Sequence, residues 1–125
     1  MTVTRRLRIL LAEDEFLIAI TLRAQLESFG YEVVGTPQTG RQAVEQTKEL
    51  KPDVVLMDIG MPELDGISAT EQIMAQAPTP VIMLTAYGDR ARVKRALAAG
   101  AKAYVLKPVI EAQLRSAIES ATGSS

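Results

Sequence analysis

The sequence predicts an α/β fold: an open, doubly wound sheet of five parallel strands with five helices over its faces. Two observations carry this expectation. Short apolar runs recur five times along the chain, and segments with helical apolar spacing alternate with them. The central run, Val54-Val55-Leu56-Met57, lacks the apolar–polar alternation of a strand with one wet face, so it reads as buried on both sides. Right-handed crossovers then leave only a few doubly wound topologies.

Leu7 to Ala12 is the first strand, cut off by Glu13-Asp14-Glu15. From Glu15 to Phe29, the residues Ile18, Leu22, Leu26 and Phe29 recur at helical spacing, and Gly30 stops that helix as a C′ glycine. Tyr31 to Thr36 is the second strand, centred on Val33-Val34. Thr39 caps a second helix with Ala43, Val44, Thr47 and Leu50 on one face, and Lys51-Pro52-Asp53 breaks it. The third strand follows and runs out at Asp58. Asp65-Gly66 opens a third helix carrying Ile67, Ile73 and Met74, which ends at Ala77-Pro78-Thr79-Pro80. Val81 to Thr85 is a fourth buried strand. Asp89 reads as the N-cap of a helix to Ala99, closed by Gly100. Ala103 to Leu106 is the fifth strand, closed by Lys107-Pro108. Ile110, Leu114, Ala117, Ile118 and Ala121 mark the last helix. Residues 1–6 read as an arm, 7–121 as one domain and 122–125 as a disordered tail.

Composition excludes several chemistries. The 125 residues include no cysteine and no histidine, which removes thiolate nucleophiles, disulfides, the usual zinc ligands and the usual general base. A net charge of −1 gives no global footprint for nucleic acid. No apolar stretch is long enough to cross a membrane, and Glu13-Asp14-Glu15 interrupts the run after Arg5-Arg6-Leu7-Arg8 too early for a signal peptide. The expected location is the cytoplasm.

In a parallel sheet, ligands bind at the carboxyl ends of the strands. Here those ends carry Glu13-Asp14, Asp58, Thr85-Ala86 and Lys107-Pro108. Carboxylates gathered there repel one another unless a positive charge intervenes. Lys107 offsets one of them, and a hard, oxygen-seeking ion such as Mg2+ offsets more, completing its shell with water and phosphate oxygens. Such a site suits phosphoryl transfer. A hydroxyl would lack an activating base, whereas a carboxylate is already ionised at neutral pH. Asp58 forming an aspartyl phosphate is therefore the economical reading. Thr85 and Lys107 would each bind a phosphoryl oxygen, and the Gly60 carbonyl lies close enough in sequence to reach the same metal.

These residues resemble the receiver domain of two-component response regulators. The matching pieces are Leu10-Leu11-Ala12-Glu13-Asp14-Glu15, Pro52-Asp53 through Asp58-Ile59-Gly60-Met61-Pro62, Asp65-Gly66, Pro80 through Thr85-Ala86, and Gly100 through Tyr104-Val105-Leu106-Lys107-Pro108. The resemblance implies a flavodoxin-like sheet in the order 2-1-3-4-5. It implies that Asp58 is the phosphoacceptor, charged from a phosphohistidine on a sensor histidine kinase or a histidine phosphotransfer protein. Asp14 matches the direct Mg2+ ligand, with Mn2+ the alternative ion, and Glu13 matches the acidic neighbour acting through water. Thr85 and Tyr104 match a switch pair, and Lys107 matches the family's lysine, with a cis bond to Pro108. Gly60 and Tyr87 occupy two positions that tune dephosphorylation in relatives.

Simpler readings stand beside these. Asp53, Asp65 and Asp89 read as turn formers or caps, and Glu13-Asp14-Glu15 alone would be an acidic first helical turn. Arg90, Arg92, Lys94 and Arg95 on the fourth helix form a solvated face or, as in relatives, part of a fourth helix–fifth strand–fifth helix surface remodelled by phosphorylation. Glu111 and Glu119 would then pair with them across a homodimer. The leading expectation is a phosphorylation-dependent switch, not an enzyme with outside substrates and not itself a nucleic-acid or membrane binder. The alternatives are a receiver fragment of a longer regulator or hybrid kinase with a DNA-binding, RNA-binding or enzymatic output, a phosphatase or phosphotransferase using Asp58, and a receiver-like module that is never phosphorylated. Exposed residues near Phe16 and Leu17, and around Pro108-Val109, are the expected determinants of partner choice.

Overall fold

A computed structural model of the chain describes residues 6–86 and 88–123. Five strands alternate with five helices: β1 (Arg8–Ala12), α1 (Phe16–Ser28), β2 (Glu32–Gly35), α2 (Gly40–Leu50), β3 (Val54–Asp58), α3 (Gly66–Gln76), β4 (Val81–Ala86), α4 (Arg90–Ala98), β5 (Ala103–Lys107) and α5 (Glu111–Thr122). All strands are parallel, in the order β2-β1-β3-β4-β5. This is the flavodoxin-like arrangement, and its switch point falls between β1 and β3, where the strand order reverses.

The sheet separates two apolar cores. Leu10, Ala12, Val55, Met57, Val81 and Met83 pack with Ala43, Val44, Ala69, Ile73 and Ala96 of α2, α3 and α4. Ile9, Leu11, Val54, Leu56, Ile82, Leu84 and Val105 pack with Leu22, Leu26, Leu114 and Ile118 of α1 and α5. Alternate residues of each strand thus enter opposite cores, as the two-residue period of a strand requires. Every residue of β3 is buried, as its unbroken apolar run implies. Full burial of each large aliphatic side chain contributes roughly 1.5–3 kcal/mol. Attachment of the helices is uneven: α4 buries only Ala96, whereas α2 and α3 bury four residues each.

The termini of the elements follow local chemistry. Gly30 ends α1 at φ +91°, with the Tyr31 N–H returning to the Leu26 carbonyl. Thr39 accepts a hydrogen bond from the Gln42 N–H at 3.1 Å and caps α2, and Asp65 accepts from the Ser68 N–H at 2.9 Å and caps α3. α2 ends at Lys51 in the left-handed region (φ 49°), and the Arg8 guanidinium donates to the free carbonyls of Leu50 and Lys51. Asp53 accepts from the Arg8 N–H at 2.7 Å, a structural task like that expected of it.

Several expectations are corrected. Glu13-Asp14-Glu15 is not a first helical turn, because α1 starts at Phe16 and the three acids lie before it. Asp89 occupies the N-cap position of α4, but its carboxylate makes no capping bond, since it is paired with Arg92. Ile110 precedes α5 and is 57% exposed. Thr122 belongs to α5 rather than to a tail, and Gly123 caps the helix at φ 73°. Residues 1–5 of the expected arm, the tail residues 124–125 and the Tyr87 position lie outside the described residues. Among the described residues, no helix is long and apolar enough to cross a membrane.

Candidate functional site

Parallel pairing brings the strand ends into line. Asp58 is in register with Leu84, Thr85 with Leu106, and Ala86 with Lys107. Asp58, Thr85 and Lys107 therefore step across three adjacent strands at one edge. On the other side, Ala12 pairs with Met57, which sets Glu13 and Asp14 beside the end of β3. The Glu13 N–H donates to the Pro37 carbonyl at 3.1 Å and fixes the turn out of β1.

Glu13, Asp14 and Asp58 place carboxylate oxygens within 4.8 Å of one another. Glu13 is fully buried, Asp58 nearly so and Asp14 half-buried. Lys107 reaches both buried acids, with Nζ 2.8 Å from Glu13 Oε1 and 3.2 Å from Asp58 Oδ1. The Asp14 N–H donates to Glu13 Oε2 at 3.1 Å, and the Gly60 N–H approaches Asp58 Oδ1 at 3.4 Å. The Lys107–Pro108 peptide is cis.

Electrostatics separates the two buried acids. Burial, and then the hydrogen bond with Asp58, push the Glu13 carboxyl up to about 7, against the pull of Lys107. Burial also raises Asp58, but its hydrogen bond with Glu13, the Lys107 charge and the Gly60 N–H hold it below the ordinary aspartate value. Lys107 loses affinity for its proton by burial and regains more from Glu13 and Asp58, ending above the usual lysine value. One ammonium thus pairs with two of the three carboxylates, and Glu13 tends to keep a proton near neutrality. An all-oxygen donor set short of positive charge fits a hard divalent cation such as Mg2+.

Thr85 is buried at the end of β4, and its hydroxyl makes a 3.5 Å contact to the Ala86 carbonyl, at the weak limit of a hydrogen bond. Tyr104 lies on β5 in register with Met83 and is 47% exposed. Arg90, Lys94 and Arg95 are exposed, as a solvated face requires. Glu119 pairs within α5 with Arg115 at 3.5 Å.

Sequence reasoning missed three parts of the surroundings. A Cβ on Gly66 would lie 2.3 Å from the Asp58 carbonyl oxygen, so α3 begins directly against the backbone of Asp58. A Cβ on Gly40 would lie 1.8 Å from the Leu64 carbonyl oxygen, so α2 enters against the loop after β3. In the sequence Gly66 marks only the start of a helix, and nothing there shows what lies against either glycine. The third is Arg92, whose Nη2 stands 3.8 Å from where a Cβ on Gly60 would be, while Nη1 pairs with Asp89 Oδ2 at 3.3 Å. The i, i+3 spacing of Asp89 and Arg92 was the available signal.

The site is a buried acidic cluster with one lysine at the switch point of a five-stranded parallel sheet, an α/β fold with an acidic pocket. A family profile for the response regulator receiver domain matches residues 9–119, and the chain belongs to that family. It is thereby a receiver of two-component, phosphorylation-based signalling. The chain is 46% identical over 112 residues to the transcriptional regulatory protein PdtaR of Mycobacterium tuberculosis, covering 90% of this chain and 55% of that protein. It is 44% identical over 102 residues to the chemotaxis protein CheY of Thermotoga maritima, covering 81% and 85%. Its structure matches the receiver domain of the sensor histidine kinase PA1611 of Pseudomonas aeruginosa with a TM-score of 0.87 at 36% identity, covering 96% and 100%; that structure holds a magnesium ion coordinated in its active-site cleft. The chain spans about half the length of PdtaR and most of the length of CheY.

Proposed function

We propose that this chain is a phosphorylation-activated switch in which Asp58 accepts a phosphoryl group from a phosphohistidine of a sensor kinase or phosphotransfer protein. The observation that carries the proposal is the position of Lys107, ion-paired to Asp58 at 3.2 Å and Glu13 at 2.8 Å inside a cluster of three carboxylates. Asp58 is held ionised and so is a ready nucleophile. An Asp58 carboxylate oxygen forms a bond to phosphorus as the P–N bond to the histidine breaks. The electron pair leaves with the imidazole. Lys107 and Thr85 bind phosphoryl oxygens, and Lys107 exchanges part of its carboxylate partnership for them. Asp14, Asp58 and the Gly60 carbonyl would hold Mg2+, or Mn2+ in its place, with Glu13 acting through water. Such an ion would supply charge neutralisation at the transferring group.

In this proposal Thr85 and Tyr104 report the transfer. The Thr85 hydroxyl, weakly engaged in this structure, turns to the phosphoryl group, and the exposed Tyr104 ring moves inward over the vacated space. The α4–β5–α5 face then changes for a partner, an attached output domain or a second copy of the chain. The protein assists its own phosphorylation and dephosphorylation and turns over no outside substrate, and its compartment is the cytoplasm. Acetyl phosphate or beryllium fluoride with Mg2+ tests the proposal. The parent chain is expected to gain the phosphoryl adduct by intact mass and Asp58→Asn to gain none. Equal labelling of the two, or steady turnover of a small phosphate ester, overturns it.

A further inference from the structure

Within the basic α4 group, Arg92 turns toward the edge holding Asp58. Its side chain runs back from the first turn of α4 to Gly60, where Nη2 lies 3.8 Å from the position a Cβ would take. Gly60 is exposed, and its own N–H faces Asp58 Oδ1 at 3.4 Å. A single side-chain-free residue thus separates the guanidinium from the acceptor carboxylate. The other nitrogen of the fork, Nη1, is held by Asp89 Oδ2 at 3.3 Å, in a pair whose side chains are 42% and 25% exposed. Exposed pairs of this kind are weak and readily exchanged. Asp89 itself occupies the N-cap position of α4, yet its carboxylate caps no backbone N–H of that helix.

These three facts fit one device. A phosphoryl group on Asp58 presents close to two negative charges and several acceptor oxygens, against the single charge of Asp89. A planar guanidinium prefers the phosphoryl group, and nothing at position 60 stands in its way. Once Arg92 leaves, the Asp89 carboxylate is free to accept from the first-turn N–H groups of α4, the usual task of an Asp at that position.

Resting on the proposed role of Asp58, we infer that Arg92 is a second phosphoryl ligand, exchanged from Asp89, that sets the lifetime of the aspartyl phosphate and passes its presence to the N-terminus of α4. Loss of the phosphoryl group is hydrolysis: a water oxygen bonds to phosphorus, the bond to Asp58 breaks, and inorganic phosphate and the Asp58 carboxylate are released. A guanidinium seated on the phosphoryl oxygens over Gly60 narrows the approach of that water.

Asp89 competes for Arg92, so substitutions of the two residues act in opposite directions. A structural ion pair would make them act alike. The experiment labels the parent chain, Arg92→Gln, Arg92→Lys and Asp89→Asn with acetyl phosphate and Mg2+, removes the donor, and follows decay of the adduct by intact mass. Arg92→Gln is expected to shorten the lifetime roughly three- to tenfold, the scale of one charge-assisted contact at a partly exposed site. Arg92→Lys should restore part of it, and Asp89→Asn should lengthen it. Amide spectra of the first turn of α4, recorded with and without beryllium fluoride, should shift in the parent and much less in Asp89→Asn. Labelled Arg92→Gln decaying at the parent rate, or Asp89→Asn changing the lifetime in the same direction as Arg92→Gln, overturns this inference alone. A parent chain that takes no label at Asp58 overturns the underlying proposal as well.

Discussion

At the scale of the residue, the site is governed by a mismatch between negative and positive charge. Glu13 is a carboxyl with almost no solvent, raised to about 7 by burial and by its contact with Asp58. A raised carboxyl binds its proton more tightly in the folded than in the unfolded chain. Its contribution to stability is therefore full below the unfolded value near 4.5 and is lost as pH rises toward 7. Asp58 is lowered, so its contribution has the opposite sign and is lost on acidification. Glu13→Gln is thus expected to stabilise the metal-free chain at pH 8 by about 1–3 kcal/mol, read from urea unfolding midpoints. The same proton must leave for a cation to bind, so Mg2+ affinity should fall as pH drops below about 7, with proton release measurable by calorimetry in two buffers. A pH-independent affinity between 6 and 8 would contradict this assignment.

At the scale of the element, each functional group is placed by where a strand or helix stops. The apolar run into Asp58 was readable because a buried strand of a parallel sheet has few alternatives, and Thr39, Asp65 and Gly30 act as their residue types suggest. Asp89 misled because capping is a competition: the local spacing that makes it a good cap also makes it a partner for Arg92. The Glu13-Asp14-Glu15 run misled for a related reason, since composition shows acids near a helix start but not that one of them is fully buried. The close approaches at Gly40 and Gly66 were not legible, because sequence carries no record of which backbone lies against a glycine. Gly66→Ala tests the tightest contact at the site. Its Cβ would meet the Asp58 backbone carbonyl at 2.3 Å, with no flexible side-chain end to yield. The substitution should cost roughly 1–3 kcal/mol or more by overpacking. It should also slow labelling of Asp58 by acetyl phosphate, because the loop that carries Gly60 must shift. Gly30→Ala, with open space at its Cβ but a φ of +91°, should lower stability while leaving the labelling rate unchanged.

At the scale of the whole molecule, the acidic edge and the two cores are expected to act as one cooperative unit, because β3 lies in the middle of the sheet and feeds both. A ligand that binds only the folded chain stabilises it by mass action, by about 2.7 kcal/mol at a hundred times its dissociation constant. Millimolar Mg2+ should therefore raise the thermal midpoint, and a chelator should reverse the gain. Asp14→Asn should abolish most of the response without lowering the metal-free midpoint, since Asp14 is half-buried and outside the Lys107 ion pairs. An undiminished Mg2+ response in that variant would remove Asp14 from the ion's coordination.

The single buried side chain of α4 has a consequence for isotope exchange. An element that gives the core only Ala96 can detach without opening the sheet, so its amides should take up deuterium through local fluctuations. The amides of β3, with every residue buried, should exchange only when the whole chain unfolds. The protein would then carry two clocks, a slow one at Met57 that reads global stability and a fast one along 90–98. Phosphorylation at the end of the slow element should change the rate of the fast one while leaving the slow one nearly untouched.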